Sequence, residues 1–130
     1  MLNKLWLNLL LLIAYIALVI TLLVFGGCSD MTQQDYINSL PDDKLIVIEI
    51  YGENCPACDA VSDNLDEIAF LYPDIKIVKI DALSKAGKLF PVFGVPTLLI
   101  YRNGSQLWRY TGMIEKAKLM KVIENSNAIY

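Results

Sequence analysis

The stretch YGENCPACDA, residues 51–60, holds two of the chain's three cysteines, Cys55 and Cys58, with Pro56 and Ala57 between them. Such a pair can be a redox couple, half of a zinc site or a structural staple, and its surroundings decide among these. Before it runs LIVIEIY, Leu45–Tyr51, apolar except for Glu49, the pattern of a central strand buried on both faces. After it, Val61, Leu65, Ile68, Ala69 and Tyr72 recur at helical spacing, Pro56 suits a first helical turn, and Pro73 stands just past the end. The pair therefore lies at a strand-to-helix junction, with Cys55 at the helix N-terminus.

At that position unpaired backbone N–H groups and the positive end of the helix dipole favour a thiolate over a thiol. A lowered pKa makes Cys55 the better nucleophile at neutral pH and the better leaving group in disulfide exchange. Cys58, one turn on, is placed to close the ring and is expected to be the more buried of the two. A zinc site would need two further ligands. The chain has no histidine and no second cysteine pair, so metal binding would require two chains each giving its pair, and no metal is expected. The same lack of histidine excludes C-x-x-C-H haem attachment and a Cys–His nucleophile. A purely structural disulfide is disfavoured because closing so short a loop constrains the unfolded chain little. Glu53, Asp59, Asp63, Asp66 and Glu67 read as a solvated helix face, with Asp59 close enough to oppose part of the thiolate stabilisation.

Outward from this centre the elements follow in order. MTQQDYINSL, residues 31–40, suits a short helix capped by Thr32, with Asp35 in the capping-box position and Pro41 after its end. IKIVKI, residues 75–80, is strand-like. Two further strands, Thr97–Arg102 and residues 106–110, flank Asn103-Gly104, a favoured hairpin turn. An amphipathic helix over residues 115–124 closes the chain. The order α-β-α-β-(α)-β-β-α predicts an α/β sandwich with a mixed sheet.

The domain resembles the thioredoxin family over residues 45–124. The resemblance rests on strand–C-x-x-C–helix, on GVPT at residues 94–97, whose proline falls forty-one residues after Cys55, on the RNG hairpin turn and on Gly112 after the last strand. It implies a thioredoxin-like three-layer sandwich with a mixed central sheet. It also implies that Cys55 attacks a substrate disulfide and Cys58 resolves the mixed disulfide. Pro96 matches the family's cis-proline, and Val95 before it would offer its backbone to an extended substrate strand. Glu49 matches the buried acid, usually aspartate, that moves the proton of the resolving cysteine. Burial should raise its pKa toward a useful acid/base range, and Lys79 matches the lysine that accompanies it. The opposing reading of Glu49 is a side chain reaching solvent at a strand end. Three departures stand out. Asn54 replaces the tryptophan usual before the first cysteine, and Pro56-Ala57 replaces Gly-Pro, so the substrate-facing surface and the redox poise differ. The family's first strand is missing. Tyr51, Phe93 and Trp108 are open as an apolar substrate rim or as ordinary packing.

The first thirty residues are of another kind. Residues 9–25 read LLLLIAYIALVITLLVF, with Thr21 the one clearly polar side chain, longer than a signal-peptide core and near the length that crosses a bilayer. Only Lys4 precedes the run, which sets the N-terminus in the cytoplasm and the remainder outside. The run ends in VFGGCSD, which resembles a bacterial lipoprotein signal with Cys28 as the lipid-bearing residue, although Phe25 departs from the leucine usual there. An uncleaved transmembrane anchor is the alternative. Residues 1–28 are thus read as signal or anchor and residues 29–130 as the domain. If Cys28 carries lipid, the tether is about three residues, ~10 Å at most when extended, which confines the site to partners near the membrane surface.

These readings converge on an extracytoplasmic, membrane-anchored, monomeric thiol–disulfide oxidoreductase acting on protein thiols and disulfides. Reduction of substrates is favoured, since the motif lacks the histidine that strong disulfide-forming members use, and a membrane electron donor is then required. No cofactor beyond the dithiol is implied. The net charge of −3 argues against nucleic acid as a partner. The alternative from another class is a thioredoxin-fold binding module with an idle cysteine pair.

Overall fold

The computed structural model describes residues 2–25, 30–41 and 43–128, which fall into two units, Met1–Asp30 and Met31–Tyr130. Cys28, the expected lipid-attachment residue, lies outside the described residues.

The first unit is a single helix, α1 (Leu2–Phe25), 24 residues and about 36 Å long at 1.5 Å per residue. Its segment Asn3–Val24 is long and apolar enough to cross a membrane by length and composition, with mean hydropathy 2.8. Thr21 turns its hydroxyl back onto the carbonyls of Ala17 and Leu18, at 3.0 and 2.8 Å, so its polar group is satisfied within the helix.

The second unit opens with α2 (Gln33–Asn38), where Thr32 and Asp35 form the expected reciprocal capping box. Four strands follow: β1 (Leu45–Tyr51), β2 (Ile75–Asp81), β3 (Thr97–Arg102) and β4 (Ser105–Thr111). Their order is β2-β1-β3-β4, with β1 parallel to β2 and antiparallel to β3, and β4 antiparallel to β3. The family's first strand is thus missing among the described residues. Helix α3 (Pro56–Leu71) joins β1 to β2, a 3₁₀ turn at Gly87–Leu89 precedes β3, and α4 (Lys116–Ala128) ends the domain. The last helix runs four residues beyond the predicted end, because Ser126 continues its buried face and returns its hydroxyl to the Val122 carbonyl. The hairpin turn takes positive φ at both Asn103 and Gly104, the conformation that suits the right-handed strand twist.

Strand alternation divides the core. Leu45 and Val47 of β1 face one side of the sheet with Ile75, Leu98 and Ile100, and there meet Val61, Leu65 and Ile68 of α3 and Leu119 and Ile123 of α4. Ile46, Ile48 and Ile50 face the other side with Leu99 and Tyr101, under Ile37 of α2 and Phe90. Three layers result. Glu49 continues the Leu45–Val47 series, so it points toward α3.

Candidate active site

The register puts the ends of three strands together. Tyr51 at the end of β1 pairs with Asp81 at the end of β2, and Ile50 pairs with Thr97 at the start of β3. The segment after Tyr51 and the segment before Thr97 therefore emerge at one edge of the sheet. The first carries the cysteines and the second carries Val95 and Pro96.

Cys55 is the N-cap of α3, extended in its own backbone, and its Sγ accepts the Cys58 backbone N–H at 3.2 Å. In the reduced dithiol an N–H so placed would favour a thiolate at this position. Pro56 occupies the first turn, where its missing N–H costs nothing. The two cysteines are joined as a disulfide with Cα atoms 5.2 Å apart. Cys58 is buried at 2 % exposure, whereas Cys55 is only partly buried and Asn54 and Pro56 beside it are exposed. The accessible sulfur is thus the one at the helix terminus, as expected.

Val95–Pro96 is the one cis peptide bond among the described residues. Pro96 is buried, its carbonyl accepts the Gly112 N–H at 2.8 Å, and Thr97 ties the loop by bonds to the Gly94 carbonyl (2.7 Å) and the Thr111 hydroxyl (2.9 Å). Gly52 was not singled out from sequence, yet it governs how close the two loops come. A Cβ there would stand 3.0 Å from Val95 Cγ2, so glycine lets the Val95 side chain pack against the turn leading to Cys55.

Glu49 is fully buried, which excludes the solvent-facing reading. Its Oε2 accepts a 2.8 Å hydrogen bond from Ser62 Oγ, while Oε1 is buried and accepts none. Burial pushes its carboxyl above the ordinary range; the Ser62 hydrogen bond and the Lys79 charge pull the other way, and Asp66 and Asp59 add to the rise. Lys79 is the register partner of Glu49, but its ammonium is bonded to Asp66 Oδ1 at 2.6 Å and to the Ser62 carbonyl at 3.3 Å. A cleft of about 190 Å³ lined by Tyr51, Cys58, Asp59, Ser62 and Lys79 opens at this point. Ser62 and Asp66 were not picked out as site residues from sequence. The signal for Ser62 was a hydroxyl interrupting the apolar stripe of α3, one turn after Cys58.

Of the three rim candidates, Tyr51 lines this cleft and Phe93 is fully exposed two residues before Val95. Trp108 belongs elsewhere: it stacks on Tyr110 and packs against the α3–α4 side of the core. Among the described residues no group of three or more His, Cys, Asp or Glu is placed to hold a metal ion.

The thioredoxin family model matches residues 28–125. The chain is 26% identical over 95 residues to a thioredoxin of Chlamydia trachomatis serovar D, covering 72% of this chain and 92% of that protein. It is 25% identical over 83 residues to thioredoxin-1 of Saccharomyces cerevisiae, covering 62% and 81%. Among solved structures, Fasciola hepatica thioredoxin superposes with a TM-score of 0.62 at 23% identity, covering 74% of this chain and 95% of that one. Chlamydomonas reinhardtii thioredoxin f2 does so with a TM-score of 0.62 at 22% identity, covering 77% and 96%. With the family match spanning most of the sequence and the cysteine pair at the strand-to-helix junction, the chain belongs to the thioredoxin family and is a thiol–disulfide oxidoreductase.

Proposed function

We propose that this thioredoxin-family chain is a membrane-tethered, extracytoplasmic reductant of protein disulfides. Cys55 attacks the substrate disulfide, and Cys58 attacks the resulting mixed disulfide to release the reduced substrate. Glu49, with Lys79 nearby, takes and returns the Cys58 proton. Asn54, Pro56 and Ala57 border the attacking sulfur, and Val95 with Pro96 forms the groove for an extended substrate segment. The observation that carries the reading is the asymmetry of the pair. Cys55 is partly exposed at the N-terminus of α3, where its sulfur accepts the Cys58 N–H, and Cys58 is buried beside a cleft with the buried acid in the adjacent strand.

The apolar helix α1 supports the tether, either as an uncleaved anchor or, through Cys28, as the signal of a lipoprotein. Lys4 alone before the apolar run supports the outward orientation of the domain. Electrons come from a dithiol donor in the membrane, since the compartment itself is oxidising. The domain acts as a monomer on protein thiols and disulfides.

The test of direction is the reduction potential of the Cys55–Cys58 pair, equilibrated against thiol buffers. A value near that of cytosolic thioredoxin, about −270 mV, is expected; one above roughly −180 mV would mark an oxidant or isomerase and overturn the reading. Protease accessibility of the domain in sealed, right-side-out vesicles tests the orientation. Protection in such vesicles would place the domain inside the cell and refute it.

A further inference from the structure

Ser62 stands where the buried acid meets the cleft that holds Cys58. It lies one helical turn after Cys58 on the same stripe of α3, and both residues line the 190 Å³ cleft. Its hydroxyl donates to Glu49 Oε2 at 2.8 Å, and its carbonyl accepts from Lys79 Nζ at 3.3 Å. One residue thus touches both members of the proton-handling pair, which are bonded to it and not to each other. With Oε2 engaged, Oε1 is the single unoccupied acceptor of the carboxylate, and it is buried.

We propose that Ser62 is a positioning residue for proton transfer: it holds the glutamate carboxylate by one oxygen and leaves the other free to take the proton of Cys58. This rests on the reading of Glu49 as the acid/base partner of Cys58. Glutamate is one methylene longer than the family's usual aspartate, and an untethered longer side chain could adopt several orientations. The Ser62 hydrogen bond selects one of them. A cleft of this size admits water, so the transfer can run directly or through one molecule.

After Cys55 has joined the substrate sulfur, the Cys58 thiol gives its proton to the Glu49 carboxylate. The Cys58 thiolate then attacks Cys55 Sγ; the Cys55–Cys58 bond forms and the Cys55–substrate bond breaks. The departing substrate thiolate takes a proton from the Glu49 carboxylic acid. Two electrons pass from the dithiol of this chain to the substrate disulfide.

The charged groups acting on Glu49 are Lys79 from β2 and Asp59 and Asp66 from α3; the titratable Cys58 of α3 and Tyr51 of β1 line the cleft that Ser62 shares, and β3 sets apolar Leu98 opposite Glu49. Ser62 lowers the proton affinity of the carboxylate. Removing its hydroxyl leaves the carboxylate protonated to higher pH and so less available as a base. The test is kcat/KM for insulin disulfide reduction between pH 5 and 9, with the full chain in detergent micelles and dithiothreitol as reductant. In S62A the acid limb is expected to move to higher pH, with activity at pH 6 reduced about tenfold, the size of one lost charge-assisted hydrogen bond; S62T should restore both. In E49Q the acid limb should be displaced from that of the wild type, what remains being the protonation of the attacking and reducing thiols. An S62A profile superimposable on the wild type, with the limb displaced in E49Q, would refute the role of Ser62 and leave that of Glu49 intact. An E49Q limb superimposable on the wild type would remove the acid/base reading and this inference with it. A wild-type chain inert toward insulin would refute the reductase reading itself, and the proton step would fall with it.

Discussion

Glu49 and Lys79 face each other across β1 and β2, yet they do not bond: the lysine reaches to Asp66 on α3 at 2.6 Å, and the glutamate takes its hydrogen bond from Ser62. Lys79 is partly exposed and already paired, so it acts on Glu49 only as a nearby charge, much of it compensated by Asp66. The carboxylate is therefore held in an apolar layer with a single hydrogen bond. That is an expensive way to bury an acid unless the acid has work to do.

Burial raises the Glu49 carboxyl above its ordinary value. Between the ordinary carboxylate range and the raised folded value, the folded chain holds a proton that the unfolded chain has lost. Stability from this group therefore falls as pH climbs through that window and is fully restored below it. Glutamine cannot ionise, so E49Q should gain Tm relative to wild type from acid toward neutral pH, with the difference shrinking toward pH 4. Melting curves of both proteins across this range check the sign; a constant difference would mean that Glu49 titrates alike in both states.

Substitution of the two flanking charges should move the Glu49 titration in opposite directions. Lys79 favours the carboxylate and Asp66 disfavours it. K79M should shift the titration to higher pH and D66N to lower pH, the latter also because it frees the lysine from its ion pair. Carbon-detected NMR of the Glu49 carboxyl reads this directly. Equal shifts of the same sign would mean that the pair acts only through local packing.

Strand parity made much of this site legible in advance. Leu45, Val47 and Glu49 alternate onto one face, Ile75, Ile77 and Lys79 do the same one strand over, and the C-x-x-C junction fixes α3 above them. The length of β1 and the cap of α2 followed from equally local signals. What parity could not supply is which side chains meet across the layers. Ser62 and Asp66 sit at helix positions whose contacts depend on the rotation of α3 over the sheet, and Gly52 matters through a loop forty-three residues away. Trp108 stayed open between rim and packing for a similar reason: its place beside Tyr110 and the core depends on which face of β4 turns inward, and the β3–β4 register is irregular near Tyr101.

Gly87 offers a test of the loop that follows β2. It is buried at the start of the 3₁₀ turn, and a Cβ there would lie 2.1 Å from the Asp81 carbonyl oxygen and 2.7 Å from backbone atoms of Ala82. Backbone cannot swing aside as a flexible side chain can. G87A is expected to destabilise the domain by about 1–3 kcal/mol, the usual cost of overpacking, measurable as a shift in the denaturant midpoint. The neighbouring A86G, at a partly buried position, should change stability by about 1 kcal/mol or less. Equal effects from the two would show that the crowding at Gly87 is relieved by a loop shift.

Asn54, one residue before Cys55, has φ of +52°, in the left-handed region that asparagine tolerates better than most residues. The family's usual tryptophan at this place would have to adopt that conformation or rebuild the turn. N54W should therefore cost about 1 kcal/mol, roughly 4–8 °C in Tm, whereas N54G should be close to neutral because glycine enters this region freely. Since Asn54 is exposed beside Cys55, the same variants separate conformation from contact. If N54G keeps both stability and the rate of insulin reduction, the asparagine serves the turn. If N54G keeps stability but loses rate, its side-chain amide contributes to the substrate face.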